Sequence, residues 1–172
     1  MYGDPRIAGA IGLRKPVPDL AEMRDLLSRW ERQSSQSPLP QGFWAVDSAE
    51  DGELLGGATL LPFSSRVHHL VMGWHLRPQA GGRGVAGQIG HALAHHAFIA
   101  SDVDEIFVAA PANNAGSIHV ARRLGMTTVD AHDWAHRGVP LEVLRMSRAE
   151  LHKIRPGVST DNSYGPEGLD DW

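Results

Sequence analysis

Leu76-Arg77-Pro78-Gln79-Ala80-Gly81-Gly82-Arg83-Gly84-Val85-Ala86 is the stretch that decides the fold. The apolar segment before it, Val67 to Leu76, predicts a strand that ends by Pro78. Residues 86–100 after it lack proline and show a helical apolar face. Glycines at a strand–helix turn reach backbone angles that other residues resist, and a helix start offers unpaired N–H groups and a positive dipole end. The stretch therefore predicts a cradle for an anion such as a pyrophosphate, with Arg83 and Arg77 adding charge.

Two other interpretations of these glycines stay open. Gly82, Gly84 and Gly87 match the GxGxxG spacing of dinucleotide-binding folds, which needs a parallel βαβ unit and an acidic residue about 20 residues on. Asp102 and Asp104 lie near that distance, but they precede the next strand instead of ending it. A structural turn without a ligand is the other interpretation. A nucleoside-triphosphate loop is excluded because no Gly-Lys-Ser/Thr occurs here.

Length and composition indicate one folded domain. The chain has 172 residues, of which 42% are hydrophobic and 21% charged. Its 0 cysteines exclude disulfides, thiolate zinc sites and a cysteine nucleophile. No apolar run approaches the roughly 20 residues that span a bilayer, and the start does not resemble a signal peptide. We expect a cytoplasmic protein, with a single domain at residues 1–153 and a mobile, Gly/Pro-rich tail at residues 154–172.

The distribution of charge indicates where an anion binds. The net charge of -4 argues against a nucleic-acid partner. The 20 acidic residues are nevertheless absent from Leu54 to Ser101, a window that contains Arg66, Arg77, Arg83 and six histidines. This basic middle of an acidic chain coincides with the glycine stretch and favours an anionic ligand there.

The order of elements predicts a mixed α/β domain. Asp19, with Glu22 three residues later, predicts the start of a helix that runs to about Arg32, and Gly125 predicts the end of another. The predicted strands are 42–47, 54–61, 67–76, 104–109, 127–129 and 141–146, and the other helices are 86–100 and 117–124. This order gives a mostly antiparallel first half and a crossover second half.

Two motifs resemble the GNAT superfamily of acyl-coenzyme A-dependent N-acetyltransferases. Met72–Pro78 with Gly82–Ala86 is similar to the family's fourth strand and pyrophosphate loop. Asn113–Met126 is similar to its Asn-x-x-Ser helix, which ends in Leu-Gly-Met/Phe. Leu141–Arg148 resembles the last strand of the branch that acetylates ribosomal-protein N-termini. The likeness covers roughly Asp4 to Leu151.

The resemblance implies a fold and a set of binding residues. The fold is a central, mostly antiparallel twisted sheet flanked by helices, in which two parallel strands, 67–76 and 104–109, splay apart to admit acetyl-CoA. The main chain at Trp74, His75 and Leu76 would pair with the pantetheine arm. The pyrophosphate would be held by the N–H groups of Gly82, Arg83, Gly84, Val85 and Ala86. Asn114 would lie near the pantetheine and Ser117 near the thioester sulfur.

The sequence also departs from the family pattern. Gly81 stands where Arg or Gln is usual, and Gln79 fits only if the frame moves by two residues. Ala121 replaces the tyrosine that many relatives use as general acid, and Val71 replaces a glutamate of the N-terminal-acetylating branch. The family begins with a strand, whereas this chain opens past it. We expect that strand to be absent, or its place to be filled by another segment or chain.

Acetyl transfer from a thioester requires a neutral amine and a protonated leaving thiolate. An amine with a pKa near 10 must first lose a proton to a base. No carboxylate lies on the predicted strand, but His69 and His75 share one face of it, and His75 is the candidate base. Ser117 is the candidate acid near sulfur. Packing or solvent exposure of the histidines, and helix capping by Asn114 and Ser117, are the alternatives that involve no chemistry.

Further residues suit a site less specifically. His91 and His95 share a helical face near His96, but no glutamate lies between them and no third ligand is evident, so we expect no metal. Three tryptophans and one loop are candidates for an acceptor pocket: Trp44, Trp74, Trp134 and residues 132–137. Core packing is the alternative for the tryptophans, and solvent exposure is the alternative for the loop.

The predicted function is N-acetyl transfer from acetyl-CoA directly to a primary amine, either a protein N-terminus or a small-molecule amine. The alternative is a non-catalytic acyl-CoA-binding module of the same fold, which the departures at Val71 and Ala121 motivate. The expected partners are acetyl-CoA and the acceptor, with neither nucleic acid nor membrane. An open sheet edge, left where the first strand is absent, favours a homodimer.

Overall fold

The computed structural model describes residues 1–11, 13–62, 69–129, 135–136 and 139–153. The helices are α1 (Pro5–Ala10), α2 (Leu20–Ser35), α3 (Val85–Ala100) and α4 (Ala115–Arg123). The strands are β1 (Gly42–Asp47), β2 (Leu54–Pro62), β3 (His69–Leu76), β4 (Glu105–Pro111), β5 (Thr127–Val129), β6 (Ala135–His136) and β7 (Val139–Ser147). Short 3-10 turns occupy Pro78–Ala80 and Arg148–Lys153.

The strands form one mixed sheet in the order β1-β2-β3-β4-β7-β5, with β6 pairing to β7 off this path. β3 and β4 are parallel, and the other pairs are antiparallel. The helix α3 connects β3 to β4, as a parallel crossover requires. The prediction of a mixed α/β fold with an antiparallel first half and a crossover second half is confirmed.

The parallel pair separates part-way along its length. Among the described residues, β3 and β4 pair from His69 with Glu105 to Val71 with Phe107. Beyond that point β3 continues to Leu76 against β2, and β4 continues to Pro111 against β7. Main-chain groups of β3 and β4 that face this gap lack a strand partner. The expected splayed strands are therefore present, and they form a cleft in the middle of the sheet.

Each face of the sheet carries a different layer. α3 packs on the face formed by Leu60, Leu70 and Met72, which are almost fully buried and form the main core. β3 has no register shift, so His75 lies on the opposite face from Met72. On that second face Tyr2 contacts His75, and α2 packs on β1. The cleft thus lies between the α3 layer and the N-terminal layer.

The helix ends follow the sequence signals. The Asp19 carboxylate accepts a 2.9 Å hydrogen bond from the Glu22 N–H at the start of α2. Gly125 ends α4 at φ 85°, and the Met126 N–H donates to the Ala121 carbonyl. Both signals were predicted, although α2 extends further than expected, to Ser35.

α1 was not predicted from the Gly-rich segment Asp4–Leu13. Pro5 occupies its first position, where a missing N–H costs nothing and the fixed φ suits a helix. In the described part of the chain no strand precedes β1, which pairs with β2 alone and forms one edge of the sheet. The homodimer expected from that edge stays a prediction.

Three predictions lie outside the described residues. These are the mobile tail at 154–172, the position of Trp134 in the loop 132–137, and the first two residues of the predicted strand 67–76. Among the described residues no helix is both long enough and apolar enough to cross a membrane. The cytoplasmic location stays a prediction.

Candidate active site

The glycine stretch forms a tight connection between β3 and α3. The turn Pro78–Ala80 follows β3 and is anchored by the buried side chain of Ala80. Gly82 has φ 71° and Gly84, the residue that caps α3, has φ 76°. Residues with a side chain rarely adopt these values, so glycine is required at both positions.

The N–H groups of this connection are available to a ligand. Those of Gly82, Arg83 and Gly84 find no backbone carbonyl among the described residues. The first-turn N–H groups of α3, at Val85 and Ala86, have no partner within the helix. Together with the dipole of the 16-residue α3, they form a group of available N–H donors, the arrangement that the sequence predicts for holding a pyrophosphate; we call residues 82–86 the cradle.

The two predicted arginines differ in their ion-pair partners. Arg77 donates to the Glu53 carboxylate at 3.0 Å and to the Leu54 carbonyl at 3.1 Å. The expectation that Arg77 supports the anion stays a prediction, because this exposed ion pair with a carboxylate just outside the acid-free window occupies one guanidinium nitrogen of a side chain that is 44% exposed. Arg83 is exposed beside the cradle, and no described residue forms an ion pair with it.

α4 begins at the same edge of the sheet as α3. Because β3 and β4 are parallel, the helices that follow them both start at the carboxyl edge of the cleft. Asn114 Oδ1 accepts a 3.0 Å hydrogen bond from the Ser117 N–H, so the capping interpretation of Asn114 holds. The half-buried Ser117 hydroxyl has no hydrogen-bond partner among the described residues and is available to a ligand.

His75 is buried on the second face of the sheet, with 9% of its surface exposed. Its Nε2 lies 3.2 Å from the Tyr2 hydroxyl, and its Nδ1 has no partner among the described residues. Burial lowers the pKa of His75 to about 4. The imidazole is therefore neutral at pH 7, and the low pKa also makes it a weak base.

Tyr2 is the site residue that sequence reasoning missed. Its ring packs edge-on against Trp30 at 5.8 Å and lies 5.4 Å from the His75 ring, both measured between centroids. Burial raises the pKa of the Tyr2 hydroxyl, which keeps it protonated. No sequence signal joins two residues so far apart in the chain, so only the folded structure could reveal this pair.

A groove of about 570 Å³ opens beside Tyr2. It is lined by Met1, Tyr2, Gly3, Val17, Pro18, Asp19, Leu20, Met23, Leu27, Trp30, Phe43, Trp44, Ala45, Leu54 and Gly56. The apolar residues Leu20, Leu27, Trp44 and Leu54 are exposed here, Leu20 to 74%. The one acidic side chain of the lining, Asp19, is engaged in capping α2. The groove is thus mainly apolar and aromatic, and Trp44 is part of its lining, while a role for Trp44 in an acceptor pocket stays a prediction.

The other candidate residues lie away from the groove. Trp74 packs beneath α3 near Gly90, so it belongs to the core side. Ala121, in place of the family's tyrosine, is fully buried in the core. Val71 stands at the last paired register before the cleft opens. His69 lies 3.6 Å from the Glu105 carboxylate and beside the ring of Phe107.

The histidines of α3 lie on its outer surface. His91 and His95 have ring centroids 6.3 Å apart, and His96 packs edge-on against Trp44 at 5.6 Å. Within the described residues no group of three or more His, Cys, Asp or Glu side chains could hold a metal ion.

The comparisons with known proteins identify the family. A mixed sheet that opens between two parallel strands, with helix N-termini at the mouth of the opening, defines the class as an acyl-CoA-type acetyltransferase fold. A model of the acetyltransferase (GNAT) domain matches residues 1–127. The chain therefore belongs to the GNAT family and is an acetyltransferase, which confirms the resemblance.

Solved structures share this fold. The spermidine N-acetyltransferase of Vibrio cholerae, in complex with CoA and spermine, superposes with a TM-score of 0.67 over 88% of each chain at 14% identity. A protein of Bordetella pertussis assigned to the same family gives 0.61 over 83% and 85% at 25% identity. A Vibrio cholerae protein described as a ribosomal-protein-serine acetyltransferase gives 0.60 over 74% and 73% at 15% identity. Among curated proteins no match is found.

The buried, neutral His75 is expected to make stability depend on pH. The folded pKa is about 4 against 6.5 for the free side chain, so the unfolded chain binds the proton more readily. The free energy of unfolding that the neutral, buried imidazole contributes is fully present above pH 6.5 and is lost as the pH falls towards 4. From about pH 7 to about pH 5 it should lower the free energy of unfolding by about 2 kcal/mol.

Urea titrations at the two pH values measure this difference, and His75→Asn serves as the comparison. The variant should lose that part of the pH dependence, whatever its absolute stability. Identical pH dependence in the two proteins would contradict the assignment to His75.

Proposed function

We propose that this protein transfers the acetyl group of acetyl-CoA to a primary amine, either a protein N-terminus or a small-molecule amine. The observation that carries the proposal is the cleft between β3 and β4, with the N-termini of α3 and α4 at its mouth. The positive-φ glycines Gly82 and Gly84 support it, because they leave a cradle of free N–H groups for a pyrophosphate. Acetyl-CoA supplies the reactive thioester when bound.

Each predicted binding residue has a role in this proposal. The N–H groups of residues 82–86 hold the pyrophosphate, assisted by the charge of Arg83. The main chain of β3 at Trp74–Leu76 pairs with the pantetheine arm in place of a neighbouring strand. Asn114 holds the first turn of α4 in position, and its amide NH₂ group remains for the ligand. Ser117 donates its hydroxyl to the leaving sulfur.

His75 is proposed as the acceptor of the proton that the amine must lose before it attacks. Its imidazole is unprotonated at physiological pH, and its pKa of about 4 makes it a weak base that can hold the proton only transiently. A main-chain N–H at the splayed end of β3 polarises the thioester carbonyl. The acetyl transfer is complete when the new C–N bond has formed, the C–S bond has broken and the thiolate has been protonated.

The groove favours an acceptor amine with an apolar body. Its aromatic walls, which include Tyr2, Trp30 and Phe43, can pack on apolar groups and attract a single ammonium through their π faces. A polyamine would need several carboxylates, and among the described residues that line the groove the one acidic side chain is Asp19, which caps α2. We therefore propose a peptide N-terminus with apolar first residues, or an arylalkyl amine, rather than a polyamine.

A screen with thiol detection tests the function. Purified protein is mixed with acetyl-CoA and a panel of N-terminal peptides, arylalkyl amines and polyamines, and calorimetry measures acetyl-CoA binding separately. Binding with amine-dependent thiol release supports acetyl transfer, and stronger release with apolar amines supports the proposed acceptor class. Binding without release for any amine would instead support the non-catalytic module. Absence of binding would contradict both.

Replacing Ser117 by alanine is expected to lower turnover. The hydroxyl is a weak acid that only hydrogen-bonds the sulfur, so we expect kcat to fall on the order of 10- to 100-fold. The acetyl-CoA Kd should change less than about 2-fold, because the capping bond uses the backbone N–H of residue 117. Steady-state kinetics and calorimetry measure the two quantities. Ser117→Thr, which keeps a hydroxyl, is the control, and an unchanged kcat in Ser117→Ala would contradict the acid role.

A further inference from the structure

The turn that joins β1 to β2 is strongly acidic. It contains Asp47, Glu50, Asp51 and Glu53, and it ends directly before the acid-free window that begins at Leu54. We call residues 47–53 the acidic turn. None of its carboxylates has a role in the proposed function, yet a carboxylate near an anion site repels a phosphate and competes with it for nearby cations. The position of the acidic turn relative to the cradle therefore matters for binding.

The sheet places the acidic turn beside the segment that leads into the cradle. Gly56 of β2 pairs with Leu76, the last residue of β3. One step further, the Arg77 N–H donates to the Leu55 carbonyl at 2.8 Å, so the two segments stay in contact beyond the end of β3. The turn Pro78–Ala80 also contacts β2. The acidic turn directly precedes β2, and it therefore adjoins the start of the glycine stretch.

The acidic turn holds one guanidinium nitrogen of Arg77. Arg77 Nη1 donates to Glu53 Oε1 at 3.0 Å and to the Leu54 carbonyl at 3.1 Å. Both charged side chains of this ion pair are exposed, so another anion can reach it and displace the carboxylate. A phosphate group can bind a guanidinium through two nitrogens, whereas Glu53 occupies one. Glu53 is thus an internal competitor that a phosphate can replace.

Hydrogen bonds within the acidic turn fix its conformation. The Ser48 N–H donates to the Glu53 carbonyl at 2.8 Å, and the Gly52 N–H donates to the Ser48 carbonyl at 2.9 Å. Asp51 Oδ1 accepts from the Glu53 N–H at 3.0 Å. Gly52 has φ 73°, a value that favours glycine. The backbone at Glu53 is therefore held in one position beside Arg77.

The second arginine of the glycine stretch is attracted to the same turn. The Glu53 N–H and the Ser48 hydroxyl lower the pKa of Asp51, and the positive charge of Arg83 lowers it further. In the described part of the chain Arg83 forms no direct ion pair, so this attraction acts over a longer distance. The acidic turn thus acts on both arginines and is in direct contact with Arg77.

We propose that Glu53 limits the affinity for acetyl-CoA by competing with the phosphate groups of the ligand for Arg77, an inference that rests on the proposed function. Before the ligand binds, Glu53 neutralises Arg77. When the phosphates bind, the guanidinium exchanges the carboxylate for them, and the loss of the ion pair subtracts from the binding free energy. The product CoA carries the same phosphates, so the same competition favours its release after transfer.

Glu53→Gln tests the competition, because it removes the charge and keeps the size of the side chain. Calorimetry should show acetyl-CoA binding about 3- to 5-fold tighter than in wild type, within the range for one exposed ion pair. The Kd of CoA should fall by the same factor. Glu50→Gln is the matched control, because it removes a carboxylate of the same turn that forms no ion pair with a described residue. Its Kd should stay within about 1.5-fold of wild type.

A ligand without phosphates separates this competition from a change in the shape of the site. S-acetylpantetheine keeps the thioester and the pantetheine arm and has no phosphate group. Its Kd, measured by the same titration, should agree between Glu53→Gln and wild type within about 1.5-fold. An equal gain for both ligands would show that Glu53 does not act through the phosphates, and the proposal would be wrong.

Arg77→Gln provides an independent readout. If Glu53 acts through Arg77, the gain in affinity from Glu53→Gln should fall below about 1.5-fold once Arg77 has been replaced. A gain that persists undiminished in that background would contradict the proposal, because Glu53 would then act on the ligand directly. If wild type binds no acetyl-CoA, the proposed function fails and this inference fails with it. If wild type binds acetyl-CoA and Glu53→Gln binds it no more tightly, only this inference fails.

Discussion

Replacing Gly84 by valine is expected to weaken acetyl-CoA binding on the order of 10- to 100-fold. Gly84 has φ 76°, and a side chain in this left-handed region costs about 1–2 kcal/mol. Relief of that strain would rotate the N–H groups at the start of α3 away from the cradle, and about 1.4 kcal/mol corresponds to a tenfold loss of affinity. The branched side chain would also occupy the approach of the pyrophosphate. Calorimetric titration with acetyl-CoA measures the loss.

Gly125→Val is the matched control. Gly125 has φ 85°, and a Cβ atom there would meet nothing within 4 Å. It ends α4, far along the chain from the cradle, so the substitution should lower the free energy of unfolding by a similar amount and leave the acetyl-CoA Kd within about 2-fold. If both variants bound acetyl-CoA as wild type does, the cradle would not be the pyrophosphate site.

Replacing Gly56 by alanine is expected to lower the free energy of unfolding by about 3 kcal/mol. Gly56 is buried and pairs with Leu76 at the end of β3. A Cβ atom there would collide with the His75 carbonyl and lie 3.0 Å from the Leu76 Cα, both backbone atoms that cannot rotate away. The last pair of the β2–β3 ladder must therefore separate. Because Leu76 leads directly into the glycines of the cradle, acetyl-CoA binding should weaken as well.

Gly73→Ala distinguishes this backbone collision from the general cost of a glycine replacement in a strand. Gly73 lies in β3, and a Cβ atom there would meet only the Thr59 Oγ1 at 2.9 Å. Rotation of the Thr59 side chain about χ1 can relieve this contact without moving the backbone, so the loss should be below about 1 kcal/mol. Urea denaturation of the two variants at one pH compares them, and equal losses would contradict the argument.

Much of the fold could be predicted because its signals are local. The start of α2 at Asp19 and the end of α4 at Gly125 depend on atoms within a few residues of each other. The short link from β1 to β2 and the crossover from β3 to β4 follow from the order of elements. α1 was missed because its segment is short and Gly-rich, and propensity alone does not favour a helix there.

The parts of the candidate site that depend on local signals were predicted, and the parts that depend on contacts between distant residues were not. The cradle at Gly82 and Gly84 and the cap at Asn114 are properties of single turns. The ion pair of Arg77 was not predicted, because its partner Glu53 lies just before β2 and 24 residues away in the chain. The contact of Tyr2 with His75 had no signal in the sequence, because the two residues are 73 positions apart in the chain.

The sequence by itself determined the family, the glycine turn before α3 and the two helix starts at the cleft, because glycine conformations and helix caps are set within a few residues of chain. Only the tertiary structure decided what surrounds His75: a tyrosine that contacts the buried histidine in the space left by Gly57, beside a groove between α2 and β1. The physical reason is burial. The low pKa of His75 and its pairing with Tyr2 depend on which distant segments exclude water from β3, and no local pattern records this.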